Sequence, residues 1–210
     1  MRFVNRARWA LAGVMLCGAI AAHADPVPAV PTASADVRGL LQWVDASGDA
    51  AGKAFAVVDK KRGQLHVFHA DGTLAGSTPA LLGAARGDHS APGVGLLKPE
   101  QIPPHQRTTP AGRFESRPGR NHEGERIVWV DYATAIAIHR LRPGASYAPR
   151  RTRLASGGGD DNRVSYGCVV VPEVFFDRVV RPVLGHGPGV VYVLPEAVPA
   201  QQVFEGLAAS

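Results

Sequence analysis

The chain contains only two cysteines, Cys17 and Cys168, which limits both its stabilisation and its chemistry. Cys17 falls in a predicted export signal, so the mature protein would carry one thiol and no intramolecular disulfide. An unpaired thiol in an exported protein indicates a reactive group or an intermolecular bond, and a buried, inert cysteine is the alternative. We therefore look for a functional site around Cys168.

The sequence also lacks a large excess of positive charge, a set of residues spaced to bind a metal, and a phosphate-binding loop. The formal charge is +5, and without the three arginines of the leader 20 basic residues face 18 acidic ones, or +2, which argues against nucleic acid as a partner. His66 and His69 are three apart on a predicted strand, so they face opposite ways and cannot share a metal. Residues 83–88 (GAARGD) lack the strand, GK[ST] and helix of a phosphate loop. We expect no metal site and no nucleotide binding.

Residues 1–24 have the pattern of a cleaved signal peptide. A basic start precedes an apolar run over residues 9–22, and Ala22-His23-Ala24 is a small-x-small cleavage site before Asp25. The run is too short to favour spanning a bilayer. We predict an exported protein that is cleaved near Ala24 and has no stable membrane insertion afterwards.

The remaining chain of about 185 residues suits one domain, which the patterns predict to be mainly β. Residues 25–52 are predicted as a linker and short helix, 53–195 as the domain, and 196–210 as a tail with a weak helix over 196–207. Short apolar or alternating runs predict strands at 54–59, 64–70, 73–82, 111–115, 127–131, 134–139, around Cys168 and at 189–194. A further helix is expected between Pro172 and Pro182.

Two long loops interrupt these strands. Residues 83–110 include five prolines and four glycines, and residues 141–162 are rich in arginine. Loops of this length inside a compact domain are usually functional lids or disordered segments. We expect both loops to cover the site and to become ordered when a substrate binds.

A nucleophilic cysteine needs a base, oxyanion donors and an exposed sulfur. Gly167 leaves no side chain beside the sulfur, and the backbone N–H groups of Tyr166, Gly167 and Cys168 are the expected oxyanion donors. A neighbouring imidazole would stabilise the thiolate and lower the pKa of Cys168.

Strand parity selects His139 as the base. On its strand His139 shares a face with two alanines, whose small side chains leave room for a cleft. The strand of Cys168 is also short and apolar, so the two strands can lie side by side with His and Cys at their ends. A structural strand-end histidine is the alternative reading of His139, and His186 is the main rival base.

Four stretches together suggest a family. They are FAVVDKKRGQLHVFHADG (55–72), TTPAGRFES (108–116), AIAIH ending in His139, and SYGC (165–168). They resemble, in order, the L,D-transpeptidase catalytic domain, also called the YkuD domain, over roughly residues 53–195.

The resemblance implies a β-sandwich-like fold in the bacterial periplasm or cell envelope, and acyl transfer on peptidoglycan stem peptides without a cofactor. It implies that Cys168 is the nucleophile, that His139 is the general base, and that Ser165 and Gly167 are the family's Ser/Thr and Gly. The cysteine would attack the carbonyl between the third and fourth stem residues and release D-alanine. The acyl group would then pass to an amine or to water, in cell-wall cross-linking or remodelling.

Three departures from the family concern the substrate. Tyr166 replaces the usual histidine, Val170 replaces an arginine, and the 29-residue interval from His139 to Cys168 is unusually long. Without arginine at position 170, a substrate carboxylate needs another cation. Arg163 is our candidate because a guanidinium can bind a carboxylate through two hydrogen bonds, with a solvated loop cation as the alternative. The other candidates lie in the preceding loop: Arg150, Arg151 and Arg153.

Two further functions stay open. One is a papain-like peptidoglycan peptidase using Cys168 and His186, although such enzymes place the cysteine early, at a helix N-terminus. The other is a non-catalytic envelope-binding module of the same fold. Tyr166 and Val170 favour the module, whereas an intact Cys168–His139 pair argues against it.

Overall fold

The computed structural model describes residues 33–156 and 158–207. The predicted signal peptide, its cleavage site and the first part of the linker lie outside the described residues. Among the residues that are described, no helix is long and apolar enough to cross a membrane. The same residues hold no group of three or more His, Cys, Asp or Glu side chains arranged to bind a metal.

Ten strands and three helices form the described domain. The strands are β1 (Phe55–Asp59), β2 (Gln64–Phe68), β3 (Leu74–Pro79), β4 (Leu82–Gly83), β5 (Gly112–Arg120), β6 (Arg126–Asp131), β7 (Ile136–Arg140), β8 (Arg163–Ser165), β9 (Val169–Val171) and β10 (Gly189–Val193). The helices are α1 (Ala35–Ser47), α2 (Tyr147–Ser156) and α3, which runs through Glu173–Phe175, a π-helical turn at Phe176–Val180, and Arg181–Leu184. Short 3-10 turns lie at Val94–Leu96, Pro99–Gln101, Pro104–Gln106 and Ala200–Gln202.

Eight of the strands form one mixed sheet in the order β3-β2-β1-β10-β5-β6-β7-β9, and β4 pairs with β8. Strand β5 belongs to both halves of the large sheet, because residues 112–116 pair with β10 and residues 117–120 pair with β6. One hydrophobic core contains side chains from both halves, including Val58 of β1 and Ile138 of β7. The halves therefore pack face to face, and the prediction of a mainly β, sandwich-like fold with short peripheral helices is confirmed.

Helix α1 covers the outer face of the first half. It begins where the Ser34 hydroxyl accepts the Val37 N–H at 3.1 Å, and it ends at Gly48, which has a left-handed φ of 66°. Its buried side chains pack on Phe55 and Val57 of β1, whose neighbours in sequence face the inner core. Burial on both faces explains why β1 is a continuous apolar run.

The predicted long loop over residues 141–162 contains helix α2, so that prediction is wrong in part. Leu154 is the one buried side chain of α2, and it packs with Leu81 and Val170. One buried residue among several arginines gives no readable helical period. Pro149 is tolerated because it lies in the first turn, where backbone N–H groups have no partner in the helix.

Two further helix predictions are wrong. Pro182 does not end α3, which continues to Leu184; the proline falls in the first turn after the π-helical segment, where a missing N–H is tolerated. The predicted helix over 196–207 is only a 3-10 turn at Ala200–Gln202. This segment is instead held by side-chain packing, with Phe204 and Leu207 beside α1.

Candidate active site

Strands β7 and β9 are parallel neighbours, which confirms the predicted arrangement of the two strands. His139 lies opposite Val170 in the register, and Cys168 precedes Val170 by two residues. Because side chains alternate along a strand, Cys168 and His139 project from the same face. Both line a cleft of about 350 Å³. The geometry brings together the proposed nucleophile and base, while their catalytic roles stay predictions.

Gly167 is required by packing as well as by access to the sulfur. Its φ is 127°, and a Cβ built on it would lie 2.7 Å from Cδ1 of Ile136 and 2.9 Å from the Thr108 carbonyl oxygen. The contact with Thr108 is to backbone, which cannot swing away. A side chain at position 167 would therefore displace the turn that carries Cys168.

The Ser165 side chain stabilises the turn that carries Cys168 through two hydrogen bonds to its backbone. Its hydroxyl donates to the Cys168 carbonyl at 2.6 Å and accepts the Gly167 N–H at 3.1 Å. The Gly167 N–H is thus engaged inside the turn, which argues against its predicted use as an oxyanion donor. The N–H groups of Tyr166 and Cys168 stay as the candidate donors.

The Cys168 thiol is partly buried, and burial favours its protonated form at neutral pH. Burial raises the pKa of Cys168, although the Ala137 N–H and the Arg142 charge act in the opposite direction. Sγ donates to the carbonyl of Ala135 at 3.6 Å, and Ala135 has an unusual left-handed φ of 58° for a residue with a side chain. The expectation of a lowered thiol pKa is therefore wrong, because desolvation outweighs the favourable charges.

His139 is neutral at the same pH. Burial lowers its pKa to about 4, against the effect of a hydrogen bond to the Arg140 carbonyl, and the Arg142 charge lowers it further. Nδ1 lies 2.8 Å from that carbonyl oxygen, which can only accept, so Nδ1 carries the proton and Nε2 has the free lone pair. The site is thus set for a neutral imidazole to remove the thiol proton during attack, and not for a preformed ion pair.

Arg163 does not reach the cleft. Its guanidinium forms a two-point ion pair with Glu196, and Nη2 also donates to the Lys60 carbonyl at 3.0 Å. The side chains of Arg163 and Glu196 are 8% and 2% exposed. A buried carboxylate of the protein already occupies the guanidinium, which argues against the predicted role of Arg163 in binding substrate.

Two other arginines do line the cleft, Arg142 and Arg150. Arg142 is ion-paired to Glu125, with 2.7 Å between Nε and Oε2, and more distantly to Glu123. Arg150, on α2, lies 3.5 Å from the Val164 carbonyl oxygen and has no carboxylate partner among the described residues. Sequence reasoning included Arg150 among its alternatives but missed Arg142, whose position three residues after His139 was the available signal.

Both long loops contribute walls to the cleft, as predicted. The loop over 83–110 supplies apolar side chains, namely Val94, Leu97, Pro99 and Ile102. A Cβ on Gly95 would lie 2.1 Å from the Ala133 carbonyl oxygen, so this loop is seated tightly on the β6–β7 turn. Tyr166 forms the rim, with the Arg107 guanidinium 4.4 Å from its ring centre. The expected ordering of the loops by substrate stays a prediction.

The papain-like alternative fits this geometry poorly. His186 is exposed, follows α3 and is not among the residues lining the cleft of Cys168. Cys168 itself lies in the turn between β8 and β9 and not at the start of a helix. The rival base and the expected helical setting of the nucleophile are thus both missing from the described site.

Comparisons with known proteins add little to this geometry. No family model and no curated protein matches the chain. Among solved structures, it is similar to the L,D-transpeptidase LdtMt1 in complex with imipenem, at 18% identity and a TM-score of 0.38, over 67% of this chain and 58% of that one. The chain thus spans less than two thirds of the length of that structure. So distant a likeness carries no argument, and the fold description rests on the strands and core given above.

Proposed function

We propose that this protein is an exported cysteine acyltransferase acting on peptidoglycan stem peptides, in cell-wall cross-linking or remodelling. The main support is the common cleft of Cys168, which directly precedes β9, and His139 of the neighbouring β7, whose imidazole tautomer is suited to accept a proton. The sequence resemblance to L,D-transpeptidases supplies the substrate class. The reaction would be L,D-transpeptidation, with L,D-carboxypeptidase activity when water is the acceptor.

The two half-reactions follow from the named groups. Nε2 of His139 takes the thiol proton as Sγ of Cys168 attacks the L-to-D peptide carbonyl, and the Cys168 N–H faces the developing oxyanion. The C–N bond then breaks, and His139 returns the proton to the leaving amine of D-alanine. In the second step His139 deprotonates the acceptor amine or water, which attacks the thioester, and the released sulfur regains a proton.

The test uses purified mature protein with a stem tetrapeptide and with a carbapenem. We expect release of D-alanine and a covalent adduct on the protein by mass spectrometry. Cys168→Ser and His139→Ala should each lower product formation by about 10²-fold or more while the fold is kept, because nucleophile and base are lost separately. His186→Ala is the control and should behave like the unmodified protein.

Three outcomes would contradict the proposal. Full activity of Cys168→Ser would exclude the thiol as the nucleophile. Loss of activity in His186→Ala but not in His139→Ala would move the base. Binding to sacculi with neither product nor adduct would identify a non-catalytic envelope-binding module instead.

A further inference from the structure

Thr109 packs against the turn between β8 and β9 that carries Cys168, on the side away from the cleft. It is fully buried, at 0% exposure. Its hydroxyl donates to the Gly167 carbonyl oxygen at 2.7 Å and accepts the Gly83 N–H at 2.9 Å. It is not among the residues that line the cleft. Its hydroxyl therefore acts on the peptide next to Cys168 and not on the sulfur or a bound substrate.

That contact determines the direction of the Cys168 N–H. The Gly167 carbonyl and the Cys168 N–H belong to one planar trans peptide, so they point in opposite directions. A hydrogen bond that holds the carbonyl towards buried Thr109 aims the N–H away from it. Because Gly167 has no side chain, its own torsions restrict this peptide little, and the orientation needs an external constraint.

The other contacts of the turn leave this N–H, together with that of Tyr166, as a candidate oxyanion donor. Ser165 already accepts the Gly167 N–H, and the N–H of the nucleophilic residue is a common member of oxyanion holes. Thr109 is itself held firmly, since its carbonyl accepts a hydrogen bond from Lys60 Nζ at 3.0 Å, and Lys60 is fully buried. The residue that holds the Gly167 carbonyl is thus itself held by a buried side chain.

We propose that Thr109 is a positioning residue that, by holding the Gly167 peptide, aims the Cys168 N–H at the oxyanion formed during acyl transfer. The inference rests on the proposed function only in requiring that Cys168 be an acyl nucleophile. It does not depend on the identity of the peptide substrate.

Two reactions of the same thiol separate positioning from reactivity. With p-nitrophenyl acetate, sulfur attacks the ester carbonyl, an oxyanion forms, and p-nitrophenolate leaves as the thioester is made; the thiol proton passes to His139. With iodoacetamide, sulfur displaces iodide at a saturated carbon and no oxyanion forms. Cys168 is the only cysteine after residue 17, so both probes report on it in the mature protein.

Thr109→Val keeps the side-chain volume and removes the hydroxyl, whereas Thr109→Ser keeps the hydroxyl. Loss of a single oxyanion donor lowers rates by about 10²–10³-fold, so a misaimed donor in Thr109→Val should slow acylation by roughly ten- to a hundredfold. Alkylation by iodoacetamide should stay within about twofold, since thiol and base are unchanged. Thr109→Ser should restore most of the acylation rate, and thermal unfolding checks the fold of each variant.

Equal acylation rates for Thr109→Val and the unmodified protein would overturn the inference, as would a parallel fall in both reactions. Should Thr109→Val fail to fold, Thr109→Ala is compared in the same two reactions at low temperature, and a parallel loss there also counts against it. Failure of the proposed function looks different. The unmodified protein would then be acylated by the ester but release no D-alanine from a stem tetrapeptide.

Discussion

Arg150 is the one cleft-lining arginine with no carboxylate partner among the described residues, while Arg142 is ion-paired to Glu125. A bidentate arginine–carboxylate contact in a partly desolvated cleft contributes about 1.5–3 kcal/mol. We therefore expect Arg150→Ala to lower kcat/KM for a stem tetrapeptide by roughly ten- to a hundredfold. Iodoacetamide alkylation of Cys168 should change little, because the thiol and its base are untouched.

A control variant and a modified substrate test whether Arg150 acts by binding the substrate carboxylate. Arg151→Ala removes an exposed arginine of the same helix and should have little effect on kcat/KM. A tetrapeptide amidated at its C-terminus lacks the carboxylate, so the preference for the free acid over the amide should shrink in Arg150→Ala. An unchanged preference would exclude Arg150 as the carboxylate-binding residue.

The pKa of His139 determines the acidic pH at which kcat/KM is expected to fall. Its pKa of about 4 means that the imidazole can still accept a proton well below neutrality. We expect kcat/KM to vary little from about pH 7 down to about pH 5 and to fall near pH 4, whereas an unperturbed histidine would fall near about 6.5. A pH profile measured with circular dichroism at each pH checks this, and an acid limb near 6.5 would contradict it.

At the scale of single elements, the sequence predicts a helix or strand where its buried apolar side chains recur at the spacing of that element. Strand β1 was predicted because it is apolar on both faces, and α1 because its buried residues recur at helical spacing. Helix α2 was missed because Leu154 is its one buried residue. Alternation along β7 was enough to place His139 on the cleft face.

The rest of the site depends on where loops run, which local patterns do not encode. Thr109 reaches the Gly167 carbonyl from 58 residues away in sequence. Arg163 lies two residues before Ser165, yet its guanidinium turns to Glu196, a residue of the C-terminal segment. Proximity in sequence therefore suggested Arg163. Long-range packing instead pairs Arg163 with Glu196 and leaves Arg150 as the cleft arginine that has no carboxylate partner among the described residues.

At the scale of the molecule, a buried ionic cluster joins distant segments. Lys60 Nζ lies 2.7 Å from Asp88, and both side chains are nearly inaccessible, at 0% and 2% exposure. Asp88 also accepts the N–H groups of Glu196 and Ala197 at 2.9 Å. The cluster thus connects the end of β1, the loop over residues 83–110 and the C-terminal segment that begins near Glu196.

Adjacent lysines provide the test of this cluster. Lys60→Met leaves Asp88 buried without its cation, which costs about 3–5 kcal/mol of unfolding free energy. Lys61→Met removes only an exposed pair with Asp36 and should cost less than about 1 kcal/mol. Urea unfolding measures both, and equal losses would show that the cluster contributes no more than a surface pair.

The same comparison has a pH dependence. Burial alone would raise the pKa of Asp88, but hydrogen bonds from Lys60 and from backbone N–H groups bring it below its ordinary value of 3.8. A lowered carboxyl pKa adds stability that is present above the unfolded value and is lost as pH falls through the folded one. The difference between the Lys60 and Lys61 variants should therefore narrow below about pH 4.

Strand β10 has a consequence for the order in which the domain is completed. Phe55 of β1 pairs with Val190 of β10, and β10 in turn separates β1 from β5 in the sheet. The first three strands can form a local meander, but within the eight-stranded sheet they are joined to β5 through β10, the last of the described strands. Such distant pairing requires closure of a long chain segment, which slows folding. A nascent chain that stops short of β10 lacks the strand that joins β1 to β5, so we expect the eight-stranded sheet to form only after β10 has been synthesised.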